Sequence, residues 1–417
     1  MSVEQKYDVI VLGAGIAGVS AANHLLRKGK RVALVDRRQA GEETSHGNLG
    51  VIERDGFVPI TFPTNLSSIL KYALNRETEM HFHLGALIKM LPWLWSLKKA
   101  SSPEQVRKFA ETISVVEGKA VEAHRELARA AGAEHFFRDT GWVRFFRTEK
   151  SFAELKEHLE FSDTYGAPYE IMTAQELREI EPHIAPVFHR AIWWKDTQSV
   201  SSPGNVTKAY AALFSNSGGE FLIGNAASLK QGADDAWSVE TEAGQISAND
   251  VVVALGPWSM DLLKPLGYSF PFAIKRGYHQ HFAPRGNQTL SRPIVDSDFG
   301  YAVSPMDQGI RLTTGIEFAD REAPPSPVQL QRATKIARDV FPLGEVVEDE
   351  PWKGQRPCFP DSLPIVGPAP RHKGLWLDFG HGHVGFTIGP ITGQLMAEMV
   401  CGEEPFTDPS PYSANRF

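Results

Sequence analysis

The chain of 417 residues has only two cysteines, Cys358 and Cys401. That leaves no disulfide framework and fits a reducing compartment. It has no run of basic residues: 43 Lys and Arg against 50 Asp and Glu give a formal charge of −7. A nucleic-acid partner, which requires a basic footprint, is therefore not expected. No apolar run reaches the roughly 20 residues of a membrane-spanning helix. The longest, LGALIKMLPWLWSL at 84–97, is interrupted by Lys89 and Pro92. No basic stretch precedes the apolar residues of MSVEQKYDVIVLG, which argues against a signal peptide and for a cytoplasmic protein. Internal repeats and low-complexity segments are also lacking. What remains is an ordinary globular composition, 42% hydrophobic and 22% charged, in a length that suits two domains.

The first informative stretch is VIVLGAGIAGVS. YDVIVL at 7–12 reads as a buried strand, IAGVSAANHLLRK at 16–28 as a helix and RVALVD at 31–36 as a second strand, which together make a βαβ unit. Gly13, Gly15 and Gly18 fall at the G-x-G-x-x-G positions of the turn. Such glycines allow a tight turn, close approach of a pyrophosphate and close helix–sheet packing. The helix N-terminus offers free N–H groups to the phosphates. Asp36 closes the second strand, where an acid accepts hydrogen bonds from ribose hydroxyls and repels a 2′-phosphate.

Further on, EQVRKFAETISVVEGKAVEAHRELARAAG has the charge and apolar spacing of an amphipathic helical hairpin. TAQELREIEP reads as a helix with Thr173 as N-cap and Glu176 at the capping-box position. DVVVALG is another buried strand ending at glycine, residues 270–320 alternate like an antiparallel sheet, and VQLQRATKIARDVFP is amphipathic. Nucleotide-fold segments thus stand at the start, middle and end. The expectation is an α/β fold in which a discontinuous Rossmann-like domain (1–65, 187–268 and 350–417) carries an inserted domain of antiparallel sheet plus helices (66–186 and 269–349).

A second glycine turn lies near the other terminus. The strand LWLDFG runs into GHGHVGFT and then a helix that opens with Pro390. A helix N-terminus there is suited to the negative charge that reduced flavin carries around N1 and the C2 carbonyl. An extended FAD would place its pyrophosphate at the first turn and its ring at the second. Thr44 and Ser45 of GEETSHGNLG would act as donors, with Gly47, Asn48 and Gly50 admitting the ring to the backbone. A nicotinamide dehydrogenase accounts for the first turn but leaves GHGHVGFT and ETSHGNLG without a role.

These stretches, together with WKGQRPCFPDSLPIVG and GHGHVGFTIGPITGQLMAE, resemble the D-amino-acid dehydrogenase small-subunit family. That family belongs to the FAD-dependent amino-acid oxidases, with glycine oxidase and sarcosine oxidase. The resemblance implies oxidation of the C–N bond of a D-amino acid or a secondary amino acid by hydride transfer to flavin. The resulting imine hydrolyses to a 2-oxo acid or aldehyde. An alternative is a flavin-carrying electron-transfer subunit of a larger complex. By motif, the resemblance puts cofactor contacts at Gly13, Gly15, Ile16, Ala17, Gly18, Asp36 and Arg37, and along Thr44, Ser45, His46, Gly47, Asn48, Leu49 and Gly50. They continue at Ala226, Ala227 and Gly256, and along Gly380, His381, Gly382, His383, Val384, Gly385, Phe386 and Thr387. The chain departs from the family pattern at Asp36 (commonly Glu), at His46, at ALGPW and at the doubled histidine.

Arg356 of GQRP is the expected carboxylate clamp, because a guanidinium forks onto a carboxylate. Arg276 is its rival, Tyr301 a carboxylate or amine contact and His383 a flavin-side hydrogen-bonding group. No metal is expected: His381 and His383 lack a neighbouring acid or Cys to complete a set. The electron acceptor is left open between oxygen, a quinone and a protein, and an oligomer is admitted. Segment 84–97, flanked by Lys98 and Lys99, is read as a buried helix or subunit contact in preference to a membrane-surface helix.

Overall fold

The structure, a computed structural model, describes residues 5–63 and 66–417. The opening unit forms as read: strand Gln5–Leu12, helix Ile16–Arg27, strand Val32–Asp36. Val9, Ile10, Val11 and Leu12 are fully buried, as a strand covered on both faces requires. Strand Gln5–Leu12 pairs in parallel with Val32–Asp36 on one side and Gly244–Val253 on the other. Leu375–Phe379 adds in parallel beyond Gly244–Val253, and Glu220–Gln231 beyond Val32–Asp36. The parallel layer is thus assembled from the start, middle and end of the chain. The neighbours of the first strand lie in opposite directions, so its carboxyl end is a topological switch point, where such sheets leave a ligand crevice.

The last helix, Gly385–Val400, lies against the first helix. Gly389 and Gly393 make this possible: a Cβ on Gly393 would stand 2.6 Å from the Ala21 nitrogen, and one on Gly389 3.0 Å from Ile16. The helix does not open with Pro390, which sits inside it. A proline there cannot donate to the Phe386 carbonyl four residues back. His124 does so instead: its Nε2 lies 2.7 Å from that oxygen, and both residues are buried.

His124 belongs to a single 29-residue helix, Pro103–Ala131, where a hairpin was expected. Ser102 caps its start, Pro103 occupies the first turn and Gly132 ends it in the left-handed region at φ 64°. Nothing between them breaks it. Its apolar face, including Val106, Phe109, Ile113 and Val116, shares one core with Val19 of the first helix and Leu395 of the last. Although expected in the inserted domain, it therefore packs with the nucleotide-binding layer. The capping box of Thr173 and Glu176 forms on helix Ala174–Ile180.

A second sheet of eleven strands is built around Ala273–Pro284. Two of its members were expected in the nucleotide-binding domain. Arg190–Trp194 pairs with Trp142–Phe146 and Tyr169–Met172, and Trp352–Cys358 pairs with Ala273–Pro284. Short alternating strands carry too little pattern to reveal which sheet recruits them. Both cysteines are free.

Candidate active site

The switch point opens into a cavity of about 850 Å³, lined at one end by Gly13, Gly15, Ile16 and Ala17 and further along by His381, Gly382, His383 and Phe386. The two glycine turns, almost the whole chain apart in sequence, border the same space.

At the first turn, Gly13 has φ 107°, and a Cβ on it would lie 2.3 Å from the Ala254 carbonyl oxygen. A Cβ on Gly18 would lie 1.8 Å from the Gly13 oxygen, so Gly18 serves helix–sheet contact and does not line the cavity. The first helix begins at Gly15 without a side-chain cap and with no acid in its first turn. Its end is left electropositive toward the cavity. The Ile16 N–H donates to Ser45 Oγ at 3.0 Å, which ties the ETSHGNLG loop to this end. Asp36 accepts from the Ala14 N–H at 2.7 Å and the Arg38 N–H at 3.2 Å, and burial raises its carboxyl pKa. Arg37 stacks over Trp258 at 4.2 Å and pairs with Glu43 at 2.7 Å. Ala226, Ala227 and Gly256 line the same end.

Thr44, Gly47, Asn48 and Leu49 line the middle. Thr44 donates to the Gln355 carbonyl at 3.0 Å, and a Cβ on Gly47 would stand 1.8 Å from the Trp352 ring. At the second turn, helix Gly385–Val400 also starts without a side-chain cap or an acid in its first turn. Thr387 does not line the cavity: its hydroxyl donates to the Val51 carbonyl and accepts from the Glu53 N–H, each at 3.2 Å. Gly380 and Gly50, both at positive φ, shape turns behind the wall, and Val384 is the buried N-cap.

Arg356 reaches the cavity between these parts. Its Nη1 donates to the Gly315 carbonyl at 3.0 Å, and Nη2 lies 3.4 Å from the Thr314 carbonyl. It has no carboxylate partner among the described residues, and burial lowers its pKa. Its positive charge is therefore available to a ligand. His383 faces the same space. Its pKa falls to about 4, first by desolvation and then through the charges of Lys275 and Arg356. The ring is neutral at pH 7.

Three expectations are corrected. Tyr301 does not border the cavity. Val295 lines the cavity and pairs with Ala302, whereas Tyr301 pairs with Asp296, so strand alternation turns its ring away. His46 faces a separate small cavity with His279, His281 and Trp352 and does not line the main one, where a cofactor contact was expected. Arg276 is fully buried, paired with Glu317 at 2.9 Å and bonded to three carbonyls, which leaves it nothing to offer a substrate.

His381 lies 3.1 Å from Thr392 Oγ1 and 3.2 Å from Asp378. Two groupings of metal-ligand type do occur among the described residues, His81–His83–Glu317 and His279–His281–Glu348. Each already has a guanidinium on a donor atom: Arg276 on Glu317 and, at 3.0 Å, Arg311 on His281. Neither includes His381 or His383. Sequence reasoning missed Glu53, Asp55, Trp142 and Arg144, which also line the cavity. In the sequence they look like an ordinary charged turn and an alternating strand.

A Rossmann-type crevice with two uncapped helix ends facing it, an acid at the second strand and glycines at each close approach defines a dinucleotide-binding flavoprotein. The residues fit FAD: each end of the cavity offers a helix dipole to a negatively charged part of that molecule. Comparison with known proteins agrees. Residues 8–399 match the FAD dependent oxidoreductase (DAO) family, and the chain belongs to that family. It is 29% identical to a D-amino-acid oxidase of Bradyrhizobium diazoefficiens, with 98% of each chain covered. Its fold matches the crystal structure of glycine oxidase from Geobacillus kaustophilus with a TM-score of 0.77, at 20% identity and with 99% of each chain covered. It also matches L-amino acid deaminase from Proteus vulgaris with a TM-score of 0.75, at 18% identity, covering 100% of this chain and 98% of that one. The protein is an FAD-dependent oxidoreductase.

Proposed function

We propose that the protein oxidises the C–N bond of a small amino acid, giving an imine that water hydrolyses to a 2-oxo acid or aldehyde. Bound FAD supplies the two-electron acceptor. The observation that carries this reading is Arg356: a buried guanidinium without an acidic partner among the described residues, bordering the cavity next to the second glycine turn. It pairs with the substrate carboxylate and fixes the α-carbon relative to the ring. His383, neutral at pH 7, accepts a hydrogen bond from the amine without adding a competing positive charge. The relatives support the same class: their names cover a D-amino-acid oxidase, a glycine oxidase and an L-amino acid deaminase. Anaerobic mixing with a panel of amino acids tests the proposal. Bleaching of the flavin by at least one, without any partner protein, supports it. An unchanged spectrum with all of them favours the electron-transfer subunit.

We also infer a peripheral contact with an anionic membrane surface. No helix among the described residues is long and apolar enough to cross a membrane. Segment 84–97 instead forms two short helices, Leu84–Lys89 and Leu91–Ala100, that bury Ala86, Trp93 and Leu97. Leu84, Ile88, Leu91 and Trp95 stay exposed, with Lys98 and Lys99 over the Trp95 ring, while Lys89 pairs with Asp320 at 2.7 Å. Exposed apolar groups rimmed by lysines suit an anionic lipid interface. Co-sedimentation with phosphatidylglycerol vesicles, lost in Leu84→Glu/Leu91→Glu, is the expected result; equal sedimentation of both proteins would oppose it.

A further inference from the structure

Besides Arg356, the wall of the cavity carries Glu53, Asp55, Trp142 and Arg144, and this part of it forms a chamber. The chamber also touches the exposed acids Glu154 and Glu157, so it meets solvent through an acidic mouth. Its apolar wall, Val58, Pro59 and Leu155, is suited to a methylene chain.

Asp55 is fixed in place: Trp142 Nε1 donates to it at 2.8 Å, Thr197 Oγ1 lies at 3.4 Å and His158 Nε2 at 3.6 Å. Glu53 differs. Its carboxylate borders the cavity deep in the molecule and has no hydrogen bond or ion pair with any described side chain. Behind it, fully buried Glu117 uses one oxygen to accept from the Gly56 N–H at 2.9 Å and leaves the other without a partner. Unpaired buried acids are costly unless a ligand completes them. Burial first, and then the like charge of Asp55, raises the Glu53 pKa to about 8, with Arg144 acting the other way, so a cationic head that pairs with Glu53 releases its proton to solvent. Four acids line this end against one arginine and one histidine, Arg144 and His158.

Resting on the amino-acid reading above, we propose that this chamber selects amino acids with a cationic side chain, ammonium or guanidinium, whose head pairs with Glu53. The α-carboxylate is held at Arg356, the methylenes run along the apolar wall, and the acidic mouth draws the cation in. Arg144 would suit a second carboxylate, but Glu53 and Asp55 already face it.

The test compares near-isosteric pairs by anaerobic flavin bleaching: arginine with citrulline and lysine with norleucine, in both enantiomers, with glutamate as the acidic member. The expected kcat/KM preference for the cation is at least about tenfold, because a buried acid discriminates strongly against an uncharged head. Glu53→Gln should reduce that preference mainly through KM. Should Glu53→Gln fail to fold, the surface variant Glu154→Gln/Glu157→Gln should lower kcat/KM for arginine and flatten its salt dependence. Bleaching by citrulline, norleucine or glutamate at rates equal to or above those of the cations would overturn this inference and leave the amino-acid reading standing. Bleaching by no amino acid at all would overturn both.

Discussion

Replacing Arg356 by alanine should separate carboxylate recognition from cofactor binding. The guanidinium lies deep in the molecule, oriented by the Gly315 carbonyl at 3.0 Å and the Thr314 carbonyl at 3.4 Å, with no acid among the described residues to neutralise it. A bound carboxylate would make two charge-assisted hydrogen bonds, each contributing about 1.5–3 kcal/mol. Their loss amounts to about 3–6 kcal/mol, or roughly 10² to 10⁴ in kcat/KM. Lysine at this position keeps the charge but not the fork, so it should recover only part of the loss. Flavin should remain bound in both variants, since the phosphate end lies elsewhere in the cavity. Free guanidinium should partly restore the alanine variant, a rescue that a purely structural arginine would not show. Steady-state kinetics with flavin content measured on the same samples decides the matter. A kcat/KM within about threefold of the parent, with flavin retained, would refute the clamp.

Three further outcomes follow from the same geometry. Gly18→Ala puts a Cβ 1.8 Å from the Gly13 carbonyl oxygen, so it should cost about 3 kcal/mol or prevent folding, read from thermal denaturation and soluble yield. His124→Leu orphans the Phe386 carbonyl and should cost about 1–3 kcal/mol; the loss should shrink when Pro390→Ala supplies the missing N–H, and a double-mutant cycle with additive losses would contradict this. Glu53 holds its proton more tightly folded, at about 8, than unfolded, near the ordinary carboxyl value, so the folded state binds more protons between those values. Its contribution to stability is therefore present at low pH and lost as pH rises toward 8. Glu53→Gln should gain melting temperature over the parent as pH goes from 5 to 9, and a constant difference would refute the sign.

The sequence reveals the cofactor end because its signals are local. VIVLGAGIAGVS contains strand, turn and helix within a dozen residues, and Gly13, Gly15, Ile16 and Ala17 line the cavity as expected. The pairing of the two termini was also readable, since each glycine turn by itself is unfinished. The substrate side was less legible. Tyr301 sits on a strand that is buried throughout and Arg276 on one that is mostly buried, so polarity alone could not tell which face each side chain takes. Pro390 misled because a proline usually starts a helix; here a histidine from a distant helix replaces the lost donor. The long helix Pro103–Ala131 looked like a surface hairpin because its exposed face is highly charged, while its buried face joins a core built from both termini. Glu53 and Asp55 gain their meaning only from the cavity they border.

One FAD should span the two glycine turns. A crystal structure of the purified yellow protein tests this most directly. The pyrophosphate should lie at the Gly15 helix end and the isoalloxazine ring between residues 47–49 and 382–386, with Arg356 beside the ring. A colourless protein, or a ring located away from the second turn, would contradict it.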